Sequence, residues 1–433
     1  MRSFKLPKRA ELPFGAAAGP TIRGDASVAA MLGGSGLKVA LLCSGLGHVA
    51  RGHEVFAQGL FDLLRDSLDI TLLKGGGAAS PREWVIPNVP RNSPLLDHIH
   101  VPQASRWATS IREQERQRIE HEGFAYAAIG PLLAGDFDVV HCLEQEVCTV
   151  LHANRHLFRR TPKIVFANGG AIPGPDLPPC DFVQEHTEHN LHYSDRRRAF
   201  MIPHGVDLTR FHPDVGSDFR ARHGISADAL VVISVGTIGV NHKRMDHVIR
   251  EVAPLPHIHL VIVGQESGET AQIKALGAQL LGPRVTFTKV AHADLPQALA
   301  AANVFVLGSL FETFGIAYIE AMAMGLPVIC TQHPNQRLIV KQGVFIDMKR
   351  SGELTRVLRD TPAEHWQALG RRGLQVVREH YDLQVLRGLY LQHYQRIAQT
   401  PTHLPEPGLI QRLRGHARHA WKSMRNSLLG TAR

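Results

Sequence analysis

The feature that most constrains this chain is a train of short, continuous apolar runs separated by stretches with helical spacing. A run that is apolar throughout, not alternating, belongs to a strand buried on both faces. Such strands sit in parallel sheets covered by helices. The first series of runs is 38–43, 69–73, 138–142, 163–167 and 199–202, with helical stretches such as 53–65 and 107–128 between them. The second is 229–235, 259–263, 285–288, 304–307, 327–330 and 344–347. Between the two series the text reads IPHGVDLTRFHP over 202–213, where Pro203, Gly205 and Pro213 break the periodicity and mark a linker. The expected class is therefore α/β, with two doubly wound sheets facing a cleft. Ligands of such sheets bind beyond the carboxyl ends of the strands.

The length of 433 residues agrees with two domains and extra segments. The boundaries expected are a flexible basic leader at 1–37, an N-terminal Rossmann-like domain at 38–201 and a C-terminal one at 202–385. A last helix at 386–400 crosses back, and a basic amphipathic tail occupies 401–433. Nowhere do about 18 uncharged apolar residues run together, so no membrane span is expected. The basic N-terminus lacks the continuous apolar stretch of a cleavable signal. Cys43, Cys142, Cys148, Cys180 and Cys330 are odd in number and without CxxC, which suits a reducing cytoplasm better than a disulfide framework. The net charge of +9 belongs to the two ends, +3 over 1–37 and +5 over 401–433. A charge so placed is not that of a nucleic-acid-binding core.

The segment SLFETFGIAYIEAMAMGLPVI, 309–329, carries the chemistry. A strand ends, a turn follows, and a helix begins near Thr313–Gly315. Backbone N–H groups at a helix start favour phosphate oxygens, and Gly315 lets a ligand approach the backbone. Glu312 and Glu320 flank that start, and carboxylates are good acceptors for sugar hydroxyls. Two solvated glutamates on an amphipathic helix would show the same spacing.

The full string distinguishes the two. It closely resembles the hallmark of the retaining, nucleotide-sugar-dependent GT-B glycosyltransferases, S-x-x-E-x-F-G-x-x-x-x-E-A-x-A-x-G-x-P-V. Ser309, Glu312, Phe314, Gly315, Glu320, Ala321, Ala323, Gly325, Pro327 and Val328 match it. The resemblance extends to the linker, to VISVGTIGVNHKRMDHVI (232–249), and to HLVIVGQE with its Gly264 and ANVFVLGS; it is good over 202–348 and weaker before. It implies that Glu312 holds donor-sugar hydroxyls, that Glu320 holds the ribose, and that Thr313, Phe314, Gly315 and Gly264 line the nucleotide-sugar site. It also implies a Lys that stabilises charge on the leaving diphosphate without a metal. Lys243 stands at that position. Thr237 occupies the place of the family's Arg, and Arg244 is the candidate to compensate.

In the N-terminal half, SGLGHVARGHE places Gly45 and Gly47 in a glycine-rich turn facing the diphosphate and acceptor, with His48 and Arg51 within reach of the cleft. The order of glycines is not G-x-G-x-x-G, so a dinucleotide reading is weak. Where related enzymes carry a mechanistic His, KIVFANGG has Asn168, which can hydrogen-bond but holds no proton at neutral pH. His141, closing the run 138–142, is an alternative cleft group or a buried, satisfied histidine. Asp136-Phe137-Asp138 spells a metal-binding DxD but opens a strand. The histidine pairs 98/100, 189/192 and 257/259 lack matching ligands for a metal.

These readings converge on a retaining, metal-independent transferase that needs no cofactor besides a UDP- or GDP-sugar donor. The acceptor is a glycan or lipid, contacted through the loops 75–95 and 170–180. The expected place is the cytoplasm, with peripheral docking on an anionic membrane through residues 409–428, whose apolar stripe and basic flanks suit a headgroup region. A nucleotide- or glycan-binding protein of the same architecture with impaired catalysis is the alternative that Thr237 and Asn168 support. A nucleotide-sugar epimerase is a further one.

Overall fold

A computed structural model of the chain describes residues 36–49, 52–100, 108–195 and 197–402. The leader up to residue 35, Arg51 and the tail segment 409–428 therefore lie outside the described residues.

The N-terminal sheet contains β1 (Lys38–Cys43), β2 (Asp69–Lys74), β3 (Glu83–Val85), β4 (Val139–Cys142), β5 (Lys163–Ala167), β6 (Phe182–Glu185) and β7 (Ala199–Met201). The C-terminal sheet contains β8 (Leu230–Val235), β9 (Ile258–Val263), β10 (Val285–Thr288), β11 (Val304–Val306), β12 (Val328–Thr331) and β13 (Val344–Ile346). Strand orders are β3-β2-β1-β4-β5-β6-β7 and β10-β9-β8-β11-β12-β13, every pairing parallel. Each order reverses once, between β1 and β4 and between β8 and β11. At those reversals the connecting helices leave on opposite faces, so a crevice opens beyond the strand ends.

The helices that bear on the site are α1 (Gly52–Leu64), α2 (Ala108–Gly135), α3 (Gln145–Asn154), α4 (Glu188–Tyr193), α5 (Met245–Val252), α6 (Ile316–Ala323), α7 (Pro334–Val340), α8 (Ala363–His380) and α9 (Leu383–Gln399). In α5 the buried residues Met245, Val248, Ile249 and Val252 recur at helical spacing, so one face packs on the sheet. Helix α6 is different. From Tyr318 to Ala323 every side chain is buried, because α6 lies between the sheet and α8. Its one carboxylate, Glu320, is thus carried on an almost wholly apolar helix.

The sequence reading placed eleven of these strands and missed β3 and β6. It also stopped the second long helix at 128, before Gly130-Pro131. Helix α2 runs on to Gly135 with Pro131 inside it. Asp138 lies one residue before β4; its carboxylate accepts from the Lys38 N–H at 2.9 Å and pairs with Arg160. Asp136 pairs with Arg159 and Arg160, so the DxD carboxylates serve as strand-entry ion pairs.

Two crossings join the halves, and they run side by side. Val206 donates its N–H to the Tyr381 carbonyl at 2.8 Å, and Leu383 donates to the Val206 carbonyl at 3.2 Å. Helix α9 then returns over the N-terminal sheet. Gln184 donates to the Tyr390 hydroxyl at 2.8 Å, His141 Nδ1 bonds the Tyr394 hydroxyl at 2.7 Å, and His393 stacks on Phe200. No helix among the described residues is long and apolar enough to cross a membrane.

Candidate functional site

The loop after β11 and the loop after β8 meet at the reversal of the C-terminal sheet. Ser309 and Glu312 turn inward while Leu310 and Phe311 stay exposed. Glu312 is only 4% exposed, and its Oε1 accepts from Lys243 Nζ at 2.7 Å and from Ser309 Oγ at 2.5 Å. His242 Nε2 stands 3.6 Å from Oε2 of the same carboxylate and 3.2 Å from the Phe311 carbonyl. A carboxylate so buried requires partners, and it has a cation and a hydroxyl. The loop itself is held from α7. Asn335 Nδ2 and Gln336 Nε2, both fully buried, donate to the Glu312 carbonyl at 2.8 Å each. Asn335 reaches the Thr313 carbonyl as well, at 3.0 Å. Sequence reasoning missed this pair; its signal was two adjacent amides after Pro334 at the head of an otherwise apolar helix.

Gly315 precedes α6 at φ +81°, and a Cβ there would come 2.6 Å from the Tyr318 ring. The left-handed turn therefore demands glycine. One position earlier, Phe314 is buried against Tyr381 and His204. Glu320, one turn into α6, accepts from His292 Nε2 at 2.6 Å. His292 gave no sequence signal. Its carbonyl accepts from Arg210, and its ring lies beside Phe211. Glu320 and His292 open on a cavity of about 330 Å³. Phe56 and Gln58 of α1, His204 of the linker and Tyr390 of α9 share its wall. Glu312 and Lys243 do not line this cavity.

The remaining C-terminal candidates serve the frame. Arg244, at φ +48°, turns its guanidinium onto the Gly308 and Met348 carbonyls. In this arrangement the guanidinium is held by the frame, while Thr237 is exposed on the loop. A Cβ on Gly264 would fall 1.7 Å from the Gly236 carbonyl oxygen, so this glycine brings two loops together.

In the N-terminal half, Gly47 has φ +91° and backs directly onto Gly76, and Gly45 leaves room for the Glu54 carboxylate. The turn is tied to the end of β4 by Glu144, whose Oε1 accepts from the Ser44 N–H at 2.9 Å and from its hydroxyl at 3.1 Å. Burial pushes the Glu144 carboxyl up. His48 is engaged with the Gly75 carbonyl and Asn88. Asn168 has its amide fully used. Nδ2 donates to the Ile172 carbonyl and to Glu185 Oε1, and Oδ1 accepts from the Ile172 N–H. It clamps the loop 168–172. His141 is fully buried beneath α9, and burial holds its imidazole down to about 3. The histidine is buried, with Nδ1 bonded to the Tyr394 hydroxyl and Nε2 without a partner.

A stack of rings joins the halves at the site. His204 of the linker stacks on His186 at 4.0 Å and sets its edge against both Phe56 and Phe314, each at 4.9 Å. Burial holds both imidazoles neutral, His186 at about 3 and His204 well below its ordinary value. Among the described residues no group of three or more His, Cys, Asp or Glu side chains is placed to hold a metal ion.

Residues 229–362 match the family described as glycosyl transferases group 1. The D-inositol 3-phosphate glycosyltransferase of Mycolicibacterium gilvum is 32% identical over 177 residues, which is 38% of this chain and 40% of that protein. The match thus spans well under half of the relative's length. In structure, the sucrose-phosphate synthase of Thermosynechococcus elongatus superposes with a TM-score of 0.67 at 21% identity, covering 83% of this chain and 99% of its own. HepE of Anabaena, solved with UDP-glucose, gives 0.62 at 15% identity, covering 83% and 99%. The likeness to the group 1 glycosyltransferases thus lies in residues 229–362, and the chain shares with these structures the GT-B architecture of two Rossmann-like domains.

Proposed function

We propose that the chain moves a sugar from a UDP- or GDP-sugar to a glycan or lipid-linked acceptor, with retention, without a metal and with no cofactor besides the donor. One observation carries the reading. Glu312, Lys243 and Ser309 are bonded together at the end of β11, three residues before the left-handed start of α6. A sugar hydroxyl can replace Lys243 or Ser309 on the Glu312 carboxylate, which frees the ammonium for the diphosphate. The α6 N–H groups add partial positive charge for phosphate oxygens. In the step itself the anomeric carbon–phosphate oxygen bond breaks and a bond to the acceptor oxygen forms on the same face. The acceptor hydroxyl proton passes to the leaving phosphate oxygen, so no side-chain base is required of Asn168. We assign the ribose of the donor to Glu320 and His292, which are bonded to each other at the cavity wall. The similarity to an inositol-phosphate glycosyltransferase, and a fold shared with a UDP-glucose-binding protein, agree with this donor class. Cytoplasmic action, with docking on an anionic membrane through 409–428, belongs to the same reading.

The second reading, a binding protein with impaired catalysis, is favoured by Arg244, whose turn into the frame leaves Lys243 and His242 as the basic groups beside Glu312. A screen of the full chain separates the two. A matching donor at 100-fold its Kd raises stability by about 2.7 kcal/mol, and that donor is then hydrolysed or transferred in EDTA. Activity lost in EDTA and restored by Mn²⁺ or Mg²⁺ would overturn the metal-free mechanism. Binding without turnover would select the second reading.

A further inference from the structure

Four rings cross from one domain to the other beside Glu312, and the proposed transfer reaction makes no use of them. Phe311 of the loop after β11 lies 5.0 Å from the ring of His333, which caps α7. His333 lies 5.5 Å from His189 of α4, and His189 lies 5.1 Å from Tyr193 at the end of the same helix. The rings meet edge to face, at 76°, 75° and 63°. The two ends are open: Tyr193 is 60% exposed and Phe311 36%. Leu310, next to Phe311, is exposed as well. Exposed large aromatics continuous with a site, on a loop whose next residue is the inward-turned Glu312, are an uncommon use of surface.

The two inner rings carry no charge near neutral pH, since burial holds His189 and His333 below their ordinary values. The row is therefore an uncharged aromatic surface with hydrogen-bonding nitrogens and one phenol. That combination suits a chain of sugars, whose C–H faces lie on rings while their hydroxyls find nitrogen and oxygen partners. An acyl chain would gain nothing from the nitrogens, and an anionic partner would find no cation in the row.

Resting on the glycosyltransferase reading above, we propose that Phe311, His333, His189 and Tyr193 form a subsite for an extended oligosaccharide acceptor, whose reacting end lies at Glu312 and whose following sugars run toward Tyr193. Phe311 holds the sugar nearest the transfer point, and Tyr193 one further along. A single compact acceptor would use only the Phe311 end.

The test uses the full chain, saturated with UDP, on a printed array of neutral glycans from one to six sugars long, together with the variants Tyr193→Ala, Tyr193→Phe and Phe311→Leu. The expected result is binding that requires at least two sugars. Tyr193→Ala should weaken it about tenfold, the worth of one aromatic contact, with UDP affinity unchanged. Tyr193→Phe should bind as the parent does, since it keeps the ring. Phe311→Leu should weaken all lengths alike. The subsite is wrong if UDP binds but no glycan does, if single sugars or lipid-linked single sugars bind as well as longer ones, or if Tyr193→Ala changes only thermal stability. Failure to bind UDP and GDP alike would instead remove the glycosyltransferase reading, and the subsite with it.

Discussion

Glu312 shares one carboxylate oxygen between Lys243 and Ser309, so its removal touches both chemistry and folding. In Glu312→Ala the Lys243 ammonium, itself mostly buried, loses its partner. We expect transfer to fall by about 10²–10³-fold, the usual cost of one preorganised electrostatic contact. The unfolding free energy should drop by about 1–3 kcal/mol. Steady-state rates and urea unfolding read the two effects separately, and near-normal turnover would sink the assignment. Asn168 makes the opposite case. Asn168→Asp would put a carboxylate oxygen 2.9 Å from Glu185, whose own carboxyl burial already pushes up. A loss of about 2 kcal/mol is expected, and it should shrink in mildly acidic buffer as Glu185 takes a proton. A loss independent of pH would show that repulsion is not the cause. The motif residues were legible because their types and spacing are local. The work of Asn168 was not, because its partner Glu185 lies 17 positions away.

The same distinction holds for whole elements. Strands such as β1 and β9 announce themselves, since nearly every residue is apolar and buried. Strand β6 reads FVQE and does not, yet Gln184 and Glu185 are completely buried. Their burial is tolerable only because Tyr390 arrives from α9, 206 residues later, and Asn168 from the loop after β5. No window on the sequence contains that information. The helix that supplies Tyr390 also supplies Tyr394, whose hydroxyl bonds His141 Nδ1 while His141 Nε2 has no partner. Tyr394→Phe would leave both nitrogens of a buried imidazole unbonded. It should lower stability by about 1–3 kcal/mol and loosen the packing of α9 on the N-terminal sheet. Hydrogen exchange should report this as faster opening of β4 and α9, with β8 to β13 unchanged. Uniform acceleration across both domains would argue against a tether of this kind.

At the scale of the whole molecule the buried histidines set an acid limit. Burial holds His141 and His186 at about 3 in the folded chain, and His204 shifts the same way. An unfolded histidine titrates near 6.5. Above that value both states are neutral and the stability is complete. As the pH falls through 6.5 the unfolded chain takes up protons that the folded chain refuses, so stability is lost, and the loss continues toward pH 3. Each histidine contributes up to about 1.4 kcal/mol per pH unit, or about 2 kcal/mol by pH 5. Glu144 and Glu185 act in the opposite direction. Burial raises their carboxyls, so the folded chain binds protons first and gains stability as the pH drops. Two carboxyls offset part of what three imidazoles lose, and the urea midpoint should fall steadily from pH 7 to pH 5. His186→Gln removes one titrating group and can still donate to the Ile202 carbonyl, as His186 Nδ1 does at 3.2 Å. Its stability should therefore fall less steeply, by about 1.4 kcal/mol per unit. A midpoint that stays flat from pH 7 to 5, or a variant as steep as the parent, would contradict this account. The consequence reaches the site, because His186 and His204 are the stacked pair between Phe56 of one domain and Phe314 of the other. A proton forced onto that stack puts charge into the seam that presses Phe314 into place, so activity should fall with the same pH dependence and return on neutralisation.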